Sequence, residues 1–242
     1  MNVNEFVNLA RLEKPAIVDN IMRLQKKNRY DHYWQELLRL SQDQDFFEPC
    51  LLQYWIGKNH KPARILEIGT RTGGSLISLL ASYSSFKNVQ IVSFDLWREA
   101  GNTVWLGKIP VIRALIKLFP FNKWLALHAL KRNLRMFNIP IANISFISGD
   151  SRNTVPSYFR QNPDMKFDYI LVDGAHDAET AYIDLENIAP YAASGGFILF
   201  DDISPASYNL IGVWNKFKDN HGHEFTFYES FHRKGLAWAV RN

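Results

Sequence analysis

The chain has 242 residues, 47% of them hydrophobic and 21% charged, with 28 Lys and Arg against 24 Asp and Glu. So much apolar surface excludes a disordered chain, the single Cys50 excludes a disulfide scaffold, and the lack of any uncharged apolar run of about 18 residues excludes a transmembrane helix. The opening MNVNEFVNLARLEK has no apolar core of the signal-peptide type, and with one cysteine the expected compartment is the cytoplasm.

Residues 1–60 read as a helical extension. VDNIMRLQKKN and HYWQELLRLSQ space apolar side chains at three and four residues. Asp45 can cap a further helix, FFEPCLLQYWIGK, that ends near Gly57. From residue 61 the pattern changes to short, branched, apolar runs. ARILEIG (63–69) leads through a glycine-bearing turn into the helical SLISLLASY. VQIVSFD (89–95), ISFISGD (144–150), FDYILVDG (167–174) and GGFILFDDI (195–203) follow as further strands. LHALKRNLRMF reads as a crossover helix, and AETAYIDLENIAPYA as a helix between the fourth and fifth strands. Such alternation predicts an α/β fold with a parallel sheet buried on both faces. After the helical SYNLIGVWNKFKDN, the runs EFTFYES and GLAWAVRN are linked only by FHRK, so they pair as an antiparallel hairpin.

Residues 98–143 are long for one connection, and the part at about 100–124 reads as a helical insertion within the 61–242 domain. The segment carries eight basic side chains, Arg98, Lys108, Arg113, Lys117, Lys123, Lys131, Arg132 and Arg135, and one acid, Glu99. Its net charge is +7, while the rest of the chain sums to −3. A nucleic-acid binder is basic over a whole face or domain, so no nucleic acid is expected as a partner. The charges are either solvated helix faces or a local patch toward an anionic or amphipathic partner. Within it, IPVIRALIKLF, started by Pro110 and stopped by Pro120, reads as a lid over a ligand, a contact in a homo-oligomer, or a membrane-surface helix. The last of these is the least favoured, because the stretch is short and its basic residues few.

Ligands of open parallel sheets sit beyond the carboxyl ends of the strands. Here every such end brings an acid: Glu67, Asp95, Asp150, Asp173, and Asp201 with Asp202. Scattered polar ends are the bland expectation for strands that meet loops, and five ends in order are hard to obtain that way. Gly69 and Gly73 allow a tight turn and a close ligand approach at a helix start. Their spacing, with Arg71 between, is neither the dinucleotide fingerprint nor a Walker loop. Glu67 in that turn repels phosphate and suits a cationic ligand. Asp95, at the next strand end, can accept two hydrogen bonds from a ribose diol.

These residues resemble class I S-adenosylmethionine-dependent methyltransferases. The resemblance covers about 63–242, with ILEIGTRTGGS as its first motif and VDGAHDAETAYIDLENIAPYAASGGFILFDDI as its most specific stretch. It is closer to the metal-dependent O-methyltransferases of the catechol and macrolide-sugar types. It implies a Rossmann-like sandwich whose seven-stranded sheet is mostly parallel and ends antiparallel. It also implies S-adenosylmethionine as cofactor, held by Glu67, Gly69, Thr70, Arg71, Gly73 and Ser75, by Asp95 and Leu96, and by Gly149, Asp150 and Ser151. Glu67, Gly69 and Ser75 then serve the methionine part, Asp95 the ribose, and Asp150 with Ser151 the adenine edge. The chain departs from the family at Gly149-Asp150-Ser151-Arg152, where adenine contacts vary.

Asp173, Asp201 and Asp202 offer the oxygen ligands that suit Mg²⁺. A zinc site lacks its cysteines and histidines. Adjacent side chains on a strand point to opposite faces, so Asp201 and Asp202 share one ion only if the chain turns there; otherwise Asp202 caps the following helix. The macrolide-sugar type is similar to this Asp-Asp pair, whereas the catechol type has Asp-Asn. His176, three residues after Asp173, stands where the catechol type carries a lysine base and the sugar-modifying relatives a histidine. A lone histidine is more often structural. The expected activity is Mg²⁺-dependent methylation of a hydroxyl on a small molecule, with Asp173 and His176 catalytic. The alternatives are a metal-independent methyltransferase, a non-catalytic cofactor-binding module and, more weakly, a nucleotide-dependent oxidoreductase.

Overall fold

Every strand of the sheet alternates between two apolar layers, and that alternation sets the architecture. The computed structural model describes residues 49–97, 121–231 and 234–242. Within them the chain runs α1 (Pro49–Asn59), β1 (Arg64–Ile68), α2 (Gly74–Leu80), β2 (Gln90–Asp95), α3 (Phe121–Met136) and β3 (Ile144–Ser148). It continues through α4 (Ser151–Gln161), β4 (Phe167–Val172), α5 (Ala178–Ile188), β5 (Ala192–Asp201), α6 (Ile211–His221), β6 (Phe225–Ser230) and β7 (Leu236–Arg241). The seven strands form one sheet in the order β3-β2-β1-β4-β5-β7-β6. The first five are parallel, and β7 inserts antiparallel between β5 and β6.

Ile65, Ile91, Tyr169, Leu171, Phe197, Leu199 and Trp238 face one layer, built with Leu52 and Ile56 of α1, Leu76 and Leu79 of α2, and Leu130 and Leu134 of α3. Their strand neighbours Leu66, Val92, Phe94, Ile170, Ile198, Phe200 and Ala239 face the other, with Val155 and Phe159 of α4, Leu185 of α5, and Trp214 and Phe217 of α6. The period of two is the pleat itself. Both faces are covered, as expected for strands with near-continuous apolar runs.

The predicted strands and the C-terminal hairpin are present. Two boundaries move: β5 begins at Ala192, before the expected GGFILF run, and the crossover helix α3 reaches back to Phe121, into the end of the expected insertion. The helix α4 has no counterpart in the sequence reading, because Pro156 lies inside it and obscures its period. The N-terminal helices before Pro49, with the Asp45 cap, and the basic stretch 98–120, with IPVIRALIKLF, lie outside the described residues. Among the described residues no helix is long and apolar enough to cross a membrane.

Trp214 is fully buried against Phe200, Phe217 and Phe227, and its Nε1 donates to Glu229 Oε1 at 3.0 Å. Trp214→Ala leaves a large cavity and removes one of the two donors to Glu229 Oε1, the other being Lys218 Nζ at 2.7 Å. It should lower the unfolding free energy by about 3–5 kcal/mol, read from the midpoint of denaturant unfolding.

Candidate functional site

The carboxyl ends of the strands are stitched to one another by backbone hydrogen bonds. Gly69 N donates to Phe94 O at 2.9 Å, Asp173 N to Ile68 O at 2.9 Å, and Gly149 N to Asp95 O at 3.1 Å. Ends that close leave no room for side chains in the first turn. Gly69 has φ +93°, and a Cβ on it would lie 2.0 Å from the Asp173 carbonyl oxygen. Gly73 has φ +84°, and a Cβ there would meet Leu130 Cδ1 at 2.6 Å. The tight turn is as expected. A side chain at either glycine would collide, at Gly69 with the Asp173 backbone and at Gly73 with Leu130.

Glu67 ends up inside this knot, 1% exposed. Ser75 Oγ donates to its Oε1, while Oε2 is buried with no hydrogen bond. Burial pushes the Glu67 carboxyl up to about 7, helped by nearby Asp95 and opposed by hydrogen bonds from Ser75 and Thr70. Thr70 Oγ1 in turn accepts from Ser93 Oγ at 2.7 Å. Asp95 spans two loops: its carboxylate accepts from Arg71 N at 2.6 Å and from Trp97 N at 2.6 Å. Both donors have left-handed backbones, with φ 49° and 47°, so the carboxylate stabilises conformations that Arg and Trp rarely adopt. Leu96, between them, exposes 42% of its surface.

At the third strand end the side chains have protein partners. Asp150 caps α4 by accepting from Arg152 N, and the Arg152 guanidinium grips it at 2.6 Å. Ser151 Oγ donates to Asp184 Oδ2 at 3.0 Å. Asp184 is wholly buried on α5, and burial raises its carboxyl to about 7. Neither Asp184 nor its link to Ser151 was legible in the sequence, since Asp184 looks like one more polar residue on a helix.

The fourth and fifth strand ends bring three carboxylates together. Asp173 follows β4, Asp201 ends β5, and Asp202 comes next with φ 64°. That left-handed residue is the turn required for both members of the Asp-Asp pair to reach one point. One oxygen from each of the three lies within 4.8 Å of the others. Asp202 does not cap the next helix: α6 begins at Ile211 with Leu210 before it and no side-chain cap. Instead Ser207 Oγ donates to Asp202 Oδ1, and Leu210 N to the Asp202 carbonyl at 3.2 Å. Like unit charges 4.8 Å apart repel by about 3 kcal/mol per pair at an effective dielectric near 20. Accordingly burial, then Asp201 and Asp202, push the Asp173 carboxyl well above the usual carboxylate range. A hard cation bound by oxygen ligands fits this donor set.

His176 stands at the rim. Its Nδ1 is 3.3 Å from Asp202 Oδ2, and its ring stacks on Tyr208 with centroids 3.8 Å apart and planes 2° from parallel. The side chain is 44% exposed, so one face of the site opens to solvent. His176 is thus brought beside Asp202, one member of the acidic group. Three neighbours were not anticipated: Ser207, Tyr208 and Lys234, whose Nζ is 3.4 Å from Asp202 Oδ1. A signal for Lys234 existed. An antiparallel last strand begins at the edge where the parallel strands end, and Leu236 of β7 pairs with Asp201.

A family model described as a methyltransferase domain matches residues 66–203. No curated protein matches the chain in sequence. Among solved structures it is similar to an SAH-bound methyltransferase of Podospora anserina, at 14% identity and TM-score 0.57 over 93% of this chain and 88% of that one. An O-methyltransferase of Bacillus cereus in complex with SAH gives 15% identity and TM-score 0.56 over 94% and 91%. CalS11, a calicheamicin methyltransferase, gives 19% identity and TM-score 0.57 over 92% and 91%. At these identities the likeness is one of fold.

The buried Glu67 has a measurable consequence. Its folded-state pKa, about 7, lies above the unfolded value, so its contribution is neutral below about pH 4.5 and becomes destabilising as pH rises toward and past 7. Glu67→Gln removes the ionisation. The ligand-free variant should match the wild type near pH 4 and exceed its stability by up to about 3 kcal/mol at pH 8, measured as the difference between their denaturation midpoints.

Proposed function

The chain belongs to the methyltransferase-domain family, and we propose that it transfers the methyl group of S-adenosylmethionine to a hydroxyl of a small molecule with the help of Mg²⁺. The observation that carries this reading is the convergence of Asp173, Asp201 and Asp202 within 4.8 Å, with His176 Nδ1 3.3 Å from Asp202. The SAH-bound fold neighbours and the O-methyltransferase among them favour the same cofactor and acceptor atom.

S-adenosylmethionine supplies an electrophilic methyl on a sulfonium, and Mg²⁺ supplies Lewis acidity that makes a hydroxyl easier to deprotonate. The residues supply placement. Glu67, with its buried free Oε2, offers a carboxylate to the cationic methionine end. Asp95, held at the end of β2 by the N–H groups of Arg71 and Trp97, offers its carboxylate to a ribose diol. Leu96 and Gly149 flank the strand ends where the adenine belongs. Asp173, Asp201 and Asp202 hold the metal. His176 takes the acceptor's proton at Nε2, while Asp202 near Nδ1 stabilises the imidazolium and Tyr208 fixes the plane of the ring. Holding donor, acceptor and base in line is the larger part of the acceleration. The acceptor is a hydroxylated small molecule that enters over the exposed face of His176.

One observation favours a second reading, metal-independent transfer by the same fold: Lys234 already places a cation beside Asp202. Turnover that is abolished by EDTA and restored by Mg²⁺ supports the first reading, and turnover indifferent to EDTA supports the second. Calorimetry should show binding of S-adenosylhomocysteine and none of NAD.

His176→Ala should leave S-adenosylhomocysteine binding intact and slow turnover by about 10²–10⁴-fold. The wild-type rate should level off at alkaline pH, whereas the rate of the variant should go on rising as the acceptor ionises unaided. An unchanged rate and pH profile would leave His176 a merely orienting residue.

A further inference from the structure

We propose that Lys234 is a resident counter-cation of the acidic triad: it offsets part of the negative charge of Asp173, Asp201 and Asp202 when no metal is bound, and it limits how tightly a divalent cation can bind there. This rests on the proposed function for the identity of that cation, but not for the role of Lys234 in the metal-free protein.

The fold builds the placement. Lys234 lies in the turn between β6 and β7, and that turn is docked against the triad's own loop: Ser204 N donates to the Lys234 carbonyl at 2.8 Å. The dock leaves no slack. Gly235, next in sequence, has φ +76°, and a Cβ on it would lie 2.6 Å from Ser204 N and 2.8 Å from Ile203 Cγ1. The register of β7 against β5 sets Leu236 opposite Asp201. The lysine thus comes to the acidic edge on a fixed backbone, and its Nζ stands 3.4 Å from Asp202 Oδ1. Its charge reaches all three acids: Asp201, Asp202 and Asp173 each favour the ammonium form, and Lys234 in turn favours the carboxylate of Asp173. Facing the triad from the other elements are His176 after β4 and Ser207 before α6. Among the described residues, Lys234 is the permanent cation paired with the triad. Its side chain is 59% exposed, so the ammonium can swing toward water without disturbing the core when a divalent ion takes the oxygens.

Two consequences follow. The three carboxylates repel one another, and the charge Lys234 sets beside Asp202 offsets part of that repulsion in the metal-free fold. A dication entering the triad meets a positive charge held a few ångströms away, so its affinity is lower than the oxygen ligands alone would give.

The test compares the full chain with Lys234→Met, which keeps most of the unbranched apolar stem and removes the charge, and with Lys234→Arg, which keeps the charge. In EDTA near pH 7.5 the Met variant should melt about 2–4 °C below the wild type and the Arg variant close to it. Isothermal titration with Mg²⁺ alone should show the Met variant binding about tenfold tighter than the wild type, with the gap closing as NaCl is raised. Unchanged melting of the Met variant in EDTA overturns the proposal, and so does Mg²⁺ binding that is weaker in the Met variant. If neither protein takes up Mg²⁺, the metal in the proposed function fails, and the melting comparison in EDTA still decides the role of Lys234.

Discussion

The structure depends on one constraint: five parallel strands all end at the same edge, and each delivers a carboxylate there. Charge of one sign gathers where the backbone is most tightly knotted and least hydrated. The protein answers in a different way at each end. Asp150 is given a helix N-terminus and an arginine. Asp95 is spent on two backbone N–H groups of left-handed residues. Glu67 is buried with one oxygen unsatisfied. Asp173, Asp201 and Asp202 are pooled. The gradient from fully satisfied to unsatisfied acids runs toward the middle of the sheet, at β1, β4 and β5. Glu67 on β1 keeps a buried oxygen without a hydrogen bond, and Asp173, Asp201 and Asp202 share one point beyond β4 and β5.

The same edge explains why the first turn needs its glycines. Gly69 lies against the Asp173 carbonyl because β1 and β4 are adjacent and their ends exchange a hydrogen bond. Any side chain at Gly69 would push the Asp173 loop away from the first turn. The glycine turn and the acidic triad are therefore one mechanical unit. A substitution in one displaces the other.

Much of this was legible in the sequence. The period of two in ILEI, IVSF and YILV, set against the three-and-four spacing of AETAYIDLENI, is enough for a parallel α/β sheet, and the acids at the strand ends are countable by eye. The short FHRK link gives the antiparallel hairpin. What was not legible depends on tertiary geometry. The helix α4 was hidden by Pro156. Asp202 could join the other acids or cap the next helix, and its left-handed backbone brings it to Asp173 and Asp201. Tyr208 and Ser207 sit in a loop whose path is fixed by hydrogen bonds from Ser207 N and Asn209 N to the Ser204 carbonyl, and no residue pattern encodes those. Lys234 was countable only after asking where an antiparallel strand begins.

The position of β7 also orders events in time. A chain emerging from the ribosome presents Glu67, Asp95, Asp173, Asp201 and Asp202 before it presents Lys234. The slot between β5 and β6 can be filled only after β6 has been made and held aside. Until then the nascent sheet has an open edge at β5. The last strand to be made therefore both completes the sheet and brings a positive charge beside Asp202.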